Sequence, residues 1–231
     1  MRMSARKRLA NLYGCHRYAF LFYTLIVTLG VAPLLTALRF GGDLLQLLLA
    51  FNLLIALLGV PGHASRTLLI LLTAAAVALR AAPASVVGER LSTGALVAGS
   101  GLALVAVITA IRFALSAKAI DAEHIYAALS AYLLAGLFFG VLHWAVSISW
   151  PGSFAEAGFP AQPAGLSLST AIYYSFVTLA TLGYGDVVPK SDVARGLAVL
   201  EAIGGQLYIA VTIARLVGAR LQTHRSGRNQ P

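Results

Sequence analysis

The chain has 231 residues, 59% of them hydrophobic and 11% charged, with a formal net charge of +9. A water-soluble domain of this size needs more polar surface, so the apolar excess makes lipid the expected solvent. The positive charge does not read as a nucleic-acid interface, because the basic residues sit beside the apolar stretches instead of forming one patch.

A span needs about 20 apolar residues to cross a hydrocarbon core of about 30 Å. Six stretches qualify in chain order: 18–38, 43–60, 66–82, 94–115, 124–147 and 193–218, the second and third being short enough to require tilt or packing inside a bundle. Ahead of the first lie Arg2, Arg6, Lys7, Arg8 and Arg17, and around the end of the last lie Arg215, Arg220, Arg225 and Arg228. With both termini placed in the cytoplasm, that side also takes Arg66, Arg112 and Lys118. The outer side takes Arg39, Arg80, Arg90, Lys190 and Arg195, which gives 12 basic residues inside against 5 outside. This is the positive-inside bias of a multi-pass protein, and a cell (inner) membrane is the expected location. The first stretch is long for a signal-peptide core and no small-residue cleavage site follows it, so an uncleaved span is expected. Cys15 is the only cysteine, which excludes an intrachain disulfide.

Residues 18–115 form four spans with short connections, whereas 124–218 form two spans flanking a long insertion, 148–192. The insertion opens with the turn-rich Trp150-Pro151-Gly152-Ser153 and passes Pro160 and Pro163. It turns helical over Leu168–Leu179, with Ser167 or Ser169 as N-cap. That helix is too short to cross a bilayer and runs into Thr181-Leu182-Gly183-Tyr184-Gly185-Asp186. Irregular backbone at membrane depth is tolerated only where it is buried in protein or lines a water-filled path, so the insertion reads as a re-entrant pore loop.

The run Ala171-Ile172-Tyr173-Tyr174-Ser175-Phe176-Val177-Thr178-Leu179-Ala180-Thr181-Leu182-Gly183-Tyr184-Gly185-Asp186 resembles the pore helix and selectivity filter of tetrameric potassium channels. The resemblance implies an all-α integral membrane protein with six transmembrane helices, a re-entrant pore helix and a homotetrameric pore. It implies a basic cytoplasmic N-terminus at 1–17 and a four-helix peripheral domain at 18–115, in the position of a voltage sensor. A pore domain at 116–218 and a basic cytoplasmic tail at 219–231 complete the layout. K+ is the permeant ion and no organic cofactor is expected. Carbonyls of Thr181, Leu182, Gly183 and Tyr184, with the Thr181 hydroxyl and Gly185, are the implied ion sites, and Asp186 marks the outer mouth. Successive carbonyls share one axis only if the backbone alternates handedness, which glycine does cheaply at Gly183 and Gly185. Tyr184 is expected to brace this segment against the pore helix.

On the last span, the resemblance places a hinge at Gly204 and Gly205, a cavity-lining Gln206, and a constriction at Ile209, Ile213 and Val217. Glu201, the one acid deep in a span, is expected behind the filter, hydrogen-bonded to it or partly protonated, or else in a structural hydrogen bond between helices. Three positions depart from the common pattern. Leu182 stands for valine or isoleucine, Val177 for a glutamate that pairs with the acid after the filter, and Tyr173-Tyr174 for tryptophans. Stretch 94–115 carries only Arg112 instead of an arginine repeat, so steep voltage dependence is not expected. His16, His63, His124, His143 and His224 lack metal-ligand spacing, Trp144 and Trp150 read as interfacial anchors, and no catalytic constellation is present. The basic termini are expected to meet anionic lipid. The rival readings are a cation-coupled transporter, a nonselective cation channel and a non-conducting modulatory subunit.

Overall fold

The computed structural model describes residues 5–38, 42–58, 60, 62–81, 84–116, 121–158 and 165–228. Arg2, Arg39, Lys118, Pro160 and Pro163 lie outside the described residues, as do the side chains of Cys15, His63, Arg80, Arg90, Arg220, His224, Arg225 and Arg228.

Among the described residues, seven helices appear in chain order with two short strands: α1 (Ala5–Ala37), α2 (Gly42–Leu57), α3 (His63–Ala81), α4 (Ala84–Ser116), α5 (Ala122–Ser149), β1 (Phe154–Glu156), α6 (Leu168–Leu179), β2 (Val187–Pro189) and α7 (Asp192–Arg228). Each expected apolar stretch lies mainly on one of these helices. Among the described residues, four are long and apolar enough to cross a membrane: His16–Leu35, Ala98–Ser116, Ala122–Ser149 and Asp192–Gly218. Leu44–Leu57 and Ser65–Ala78 are shorter apolar helices. This is the architecture of a membrane protein.

Helix runs into both basic flanks, α1 beginning at Ala5 and α7 continuing to Arg228; their Arg, Lys, Leu and Ala are good helix formers and extend the ladder. Two three-residue strands accompany the helices. The chain leaving α5 and the chain leaving the Gly-rich segment pair as an antiparallel ribbon, Phe154 opposite Pro189 and Glu156 opposite Val187. The Ala157 amide donates to the Asp186 carbonyl at 2.6 Å and the Lys190 amide to the Ser153 carbonyl at 2.7 Å. Backbone that cannot continue a helix finds its partners across the loop instead.

α5 is the hub and packs against α1, α4, α6 and α7. Its start is capped by Asp121, whose carboxylate accepts from the His124 amide at 3.0 Å. That bond, with the His124 ring nitrogen at 2.6 Å, holds the Asp121 carboxyl below its usual range. α1 breaks at His16, where φ is −132° and ψ 23°. Just past the break, the Tyr18 amide donates to Glu123 Oε1 of α5 at 2.5 Å.

Leu21 and Leu25 of α1, Leu57 of α2, Ala110 of α4, and Ala127, Ala131 and Leu134 of α5 make one buried cluster. Lipid tails are as apolar as leucine, so small residues that let backbones approach are what favour helix association. Gly140 illustrates this: a Cβ there would lie 2.8 Å from the Ile172 Cα of α6. A buried polar link, Asn52 Nδ2 to Thr28 Oγ1 at 2.7 Å, joins α2 to α1.

Candidate functional site

The half-length helix α6 is wedged between α5 and α7. Ser167 is its N-cap, accepting from the Thr170 amide at 3.0 Å. The helix ends at Ala180, and the amides of Ala180, Thr181 and Leu182 fold back onto the carbonyls of Phe176, Thr178 and Val177.

The backbone then alternates. φ is +58° at Thr181, +58° at Gly183 and +80° at Gly185, while Leu182 and Tyr184 keep negative φ. Two of the three left-handed positions are the glycines; the third is a threonine, which pays a steric penalty that glycine avoids. Alternating handedness turns successive carbonyls toward one side, where an ordinary strand would alternate them. In the single chain, Thr181 through Gly185 are exposed, Tyr184 most of all at 66%.

Asp186 closes the segment. Its Oδ2 accepts from the Tyr173 hydroxyl at 2.7 Å and its Oδ1 from the Val187 amide at 3.0 Å. Donation to Asp186 pushes the Tyr173 hydroxyl up to about 12, so it stays protonated and keeps donating. Val177, by contrast, is buried and cannot supply a polar partner.

Behind α6 lies a polar network that sequence reasoning saw only in part. Glu201 of α7, His143 of α5 and Ser175 of α6 are each 0% exposed. His143 Nε2 meets Glu201 Oε2 at 2.8 Å. The Ser175 hydroxyl contacts both the Gly136 carbonyl oxygen, at 2.7 Å, and Glu201 Oε1. A serine hydroxyl has one proton. That proton faces two acceptors, the Gly136 carbonyl oxygen and Glu201 Oε1. His143 Nδ1 has no hydrogen-bond partner among the described residues. The same ring sits edge-on to Tyr174 at 4.8 Å and to Phe154 at 5.6 Å. Glu201 thus ties the pore helix to both flanking spans and makes no recorded bond to residues 181–185. The available signal was two polar side chains, His143 and Glu201, on otherwise apolar helices; their pairing across 58 residues required the fold.

On α7, Gly205 is buried against α6, where a Cβ would lie 2.7 Å from Leu179 Cδ1 and 3.2 Å from the Leu179 carbonyl oxygen. Gly204 is exposed, with nothing within 4 Å of such a Cβ. Gln206, Ile213 and Val217 are exposed, and Ile209 is half-buried. Tyr208 turns toward α5 and donates to the Ala128 carbonyl at 2.7 Å.

Two long helices enclose a half-length helix and a kinked Gly-rich return, and residues 127–220 match the family described as "Ion channel". The chain is 30% identical over 86 residues to a two pore potassium channel c from Oryza sativa subsp. japonica, covering 37% of this chain and 17% of that protein. It is 40% identical over 52 residues to the voltage-gated potassium channel Kch of Escherichia coli, covering 22% and 12%. It is 39% identical over 61 residues to the inward rectifier potassium channel Kirbac3.1 of Paramagnetospirillum magnetotacticum, covering 26% and 20%. All three are similar to this chain over part of its length, and the chain spans a fifth or less of the length of each. No solved structure matches it significantly.

Proposed function

We propose that the chain is a subunit of a potassium-selective channel that passes K+ passively, with four copies around one pore. The observation that carries this reading is the alternation of left-handed backbone at Thr181, Gly183 and Gly185. It aims the carbonyls of Thr181, Leu182, Gly183 and Tyr184 at one axis, where four such ribbons replace the water shell of a dehydrated cation. One chain brings one ribbon, so the closed solution is a fourfold homotetramer. The exposure of Leu182 and Tyr184 in the single chain fits surfaces that neighbouring copies cover. Asp186, held by Tyr173, adds negative charge at the mouth.

In this reading α2 and α3 are short, tilted spans, both termini are cytoplasmic, and residues 116–218 are the pore domain. Residues 18–115 form a peripheral domain whose helix α4 carries Arg112 near its end. One charge crossing 100 mV supplies about 2.3 kcal/mol, and Arg112 at the boundary crosses little of the field, so gating is weakly voltage-dependent or voltage-independent. Gly204 and Gly205 provide the hinge, Gln206 lines the cavity, and Ile209, Ile213 and Val217 form the constriction.

Purified protein reconstituted in bilayers under opposed K+ and Na+ gradients tests the proposal. The expected reversal potential follows K+. A reversal near zero under such gradients would mean a nonselective pore, and silence from well-folded, inserted protein would mean a modulatory subunit.

A further inference from the structure

His143 has a second set of contacts besides its bond to Glu201. Three rings close on one another edge-on behind the pore helix: His143 of α5, Tyr174 of α6 and Phe154 of β1. The centroid separations are 4.8 Å for His143–Tyr174, 5.6 Å for His143–Phe154 and 5.4 Å for Tyr174–Phe154, at interplanar angles of 81°, 87° and 73°. Edge-to-face is an arrangement that aromatic quadrupoles favour, and it fixes direction as well as distance. All three side chains are buried, so close packing leaves them little room to turn away.

This cluster bears on both arms of the Gly-rich segment. Tyr174 belongs to α6, which ends at Leu179, just ahead of Thr181. Phe154 belongs to β1, which pairs with β2, and β2 begins at Val187, directly after Asp186. Val187 is buried in the same apolar cluster as Phe154 and Tyr174. His143 itself stands on α5, the helix against which α1, α4, α6 and α7 pack, and its Nε2 is held by Glu201. One side chain rooted in the hub therefore touches the helix that delivers the segment and the strand that pairs with its exit.

We propose that His143 is a positioning residue for cation selectivity, its ring a strut that sets the separation between the pore helix and the β1–β2 ribbon. The proposal rests on the reading that carbonyls of residues 181–184 hold the ion. Residues 181–185 are exposed in the single chain, so the segment takes its span from its two ends. A coordination cage keeps its size only where packed side chains lock its supports.

The test reconstitutes the full-length wild type, His143→Gln, Phe154→Leu and the double variant in bilayers and reads the K+/Na+ permeability ratio from bi-ionic reversal potentials. Melting temperature and assembled fraction are measured alongside. Gln keeps an N–H for Glu201 and Leu keeps apolar bulk, so each variant removes one edge of the ring contact. Loss of a group that orients an ion's ligands costs about 10–100-fold, so each single variant should lower the ratio by about tenfold or more. The double variant should fall no further than the worse single, because both break one strut. Tyr208→Phe, which deletes the bond from α7 to the Ala128 carbonyl of α5 outside the ring cluster, should keep the wild-type ratio even if it melts lower. Unchanged ratios in His143→Gln and Phe154→Leu, with lowered melting temperatures, would overturn the proposal and leave the rings as packing alone. So would a double variant whose loss is the product of the two singles, or failure of both singles to assemble, which would make the contact a condition of folding. A wild type without K+ preference is a separate failure, that of the pore reading itself, and removes the strut's role with it.

Discussion

A protonated Glu201 facing a neutral His143 would separate two substitutions at one position. Glu201→Ala would then remove the acceptor of His143 Nε2, a buried donor, at a cost of about 1–3 kcal/mol. The void adds on the order of 1 kcal/mol, for a total of about 2–4 kcal/mol. Glu201→Gln is different. Its amide oxygen can accept from His143 Nε2, and its NH2 can donate to Ser175 Oγ, as a protonated carboxyl would. The expected cost is below about 1 kcal/mol. For a chain of this length a kcal/mol moves the melting temperature by about 2–4 °C, so Ala should lower it by about 4–16 °C and Gln by less than about 4 °C. Thermal unfolding in one detergent, with the assembled fraction followed by size exclusion, reads both.

The opposite proton count gives the opposite order. If Glu201 were a carboxylate facing an imidazolium, Gln would strand a buried charge, at about 3–5 kcal/mol. A Glu201→Gln protein as damaged as Glu201→Ala would therefore refute the neutral pair. Conductance adds a second readout: with a neutral pair, Glu201→Gln should leave the pH dependence of the current unchanged.

Other consequences follow from particular contacts. Gly140→Ala places a methyl 2.8 Å from the Ile172 backbone and should destabilise the protein by about 1–3 kcal/mol, seen as a lower melting temperature. Tyr173→Phe removes the donor to Asp186; the exposed site keeps the stability cost within about 1 kcal/mol, while current decay during sustained opening should accelerate. Gly204→Ala meets no neighbour and should change open probability in single-channel recordings with little loss of stability, whereas Gly205→Ala also strains Leu179 and cannot isolate bending.

The helices were legible because their apolar lengths are set by the bilayer, and the boundaries at Ser167 and Leu179 because a cap and a glycine-rich exit mark them. The left-handed residues at Gly183 and Gly185 were legible for the same reason, since glycine is the residue that tolerates that backbone. Thr181 was not: nothing in a threonine announces positive φ, and only its place at the end of α6 imposes it. The ribbon of β1 and β2 escaped notice because three-residue strands carry no periodicity and their register depends on where two distant loop arms meet. The partner of His143 lies on another helix and that of Tyr173 beyond the glycines, so neither pairing shows in local spacing. Pairings between helices depend on rotation about each axis, which an apolar helix with little amphipathic asymmetry does not encode locally.

Helix α7 is packed on one stripe and open on the other in the single chain. Of the candidate spans, Asp192–Gly218 has the smallest buried share, yet it holds the fully buried Glu201 and the packed Gly205. One stripe of α7 is therefore fixed tightly against α5 and α6, while Val199, Leu200, Ile203 and Leu207 stand open. A helix facing lipid alone would need no such precision on its inner stripe and no Gln206 among its exposed residues. The arrangement fits a helix locked on one side to the pore helix, so that the backbone at 181–185 is held at a fixed height. Its other side is free to meet copies of itself. In that geometry, loosening the Glu201 tie would move the pore helix and the carbonyl ribbon together, and loss of K+ preference in Glu201→Ala with its retention in Glu201→Gln is the expected pattern. Preserved preference in an assembled, conducting Glu201→Ala channel would mean that the ribbon keeps its height without the tie.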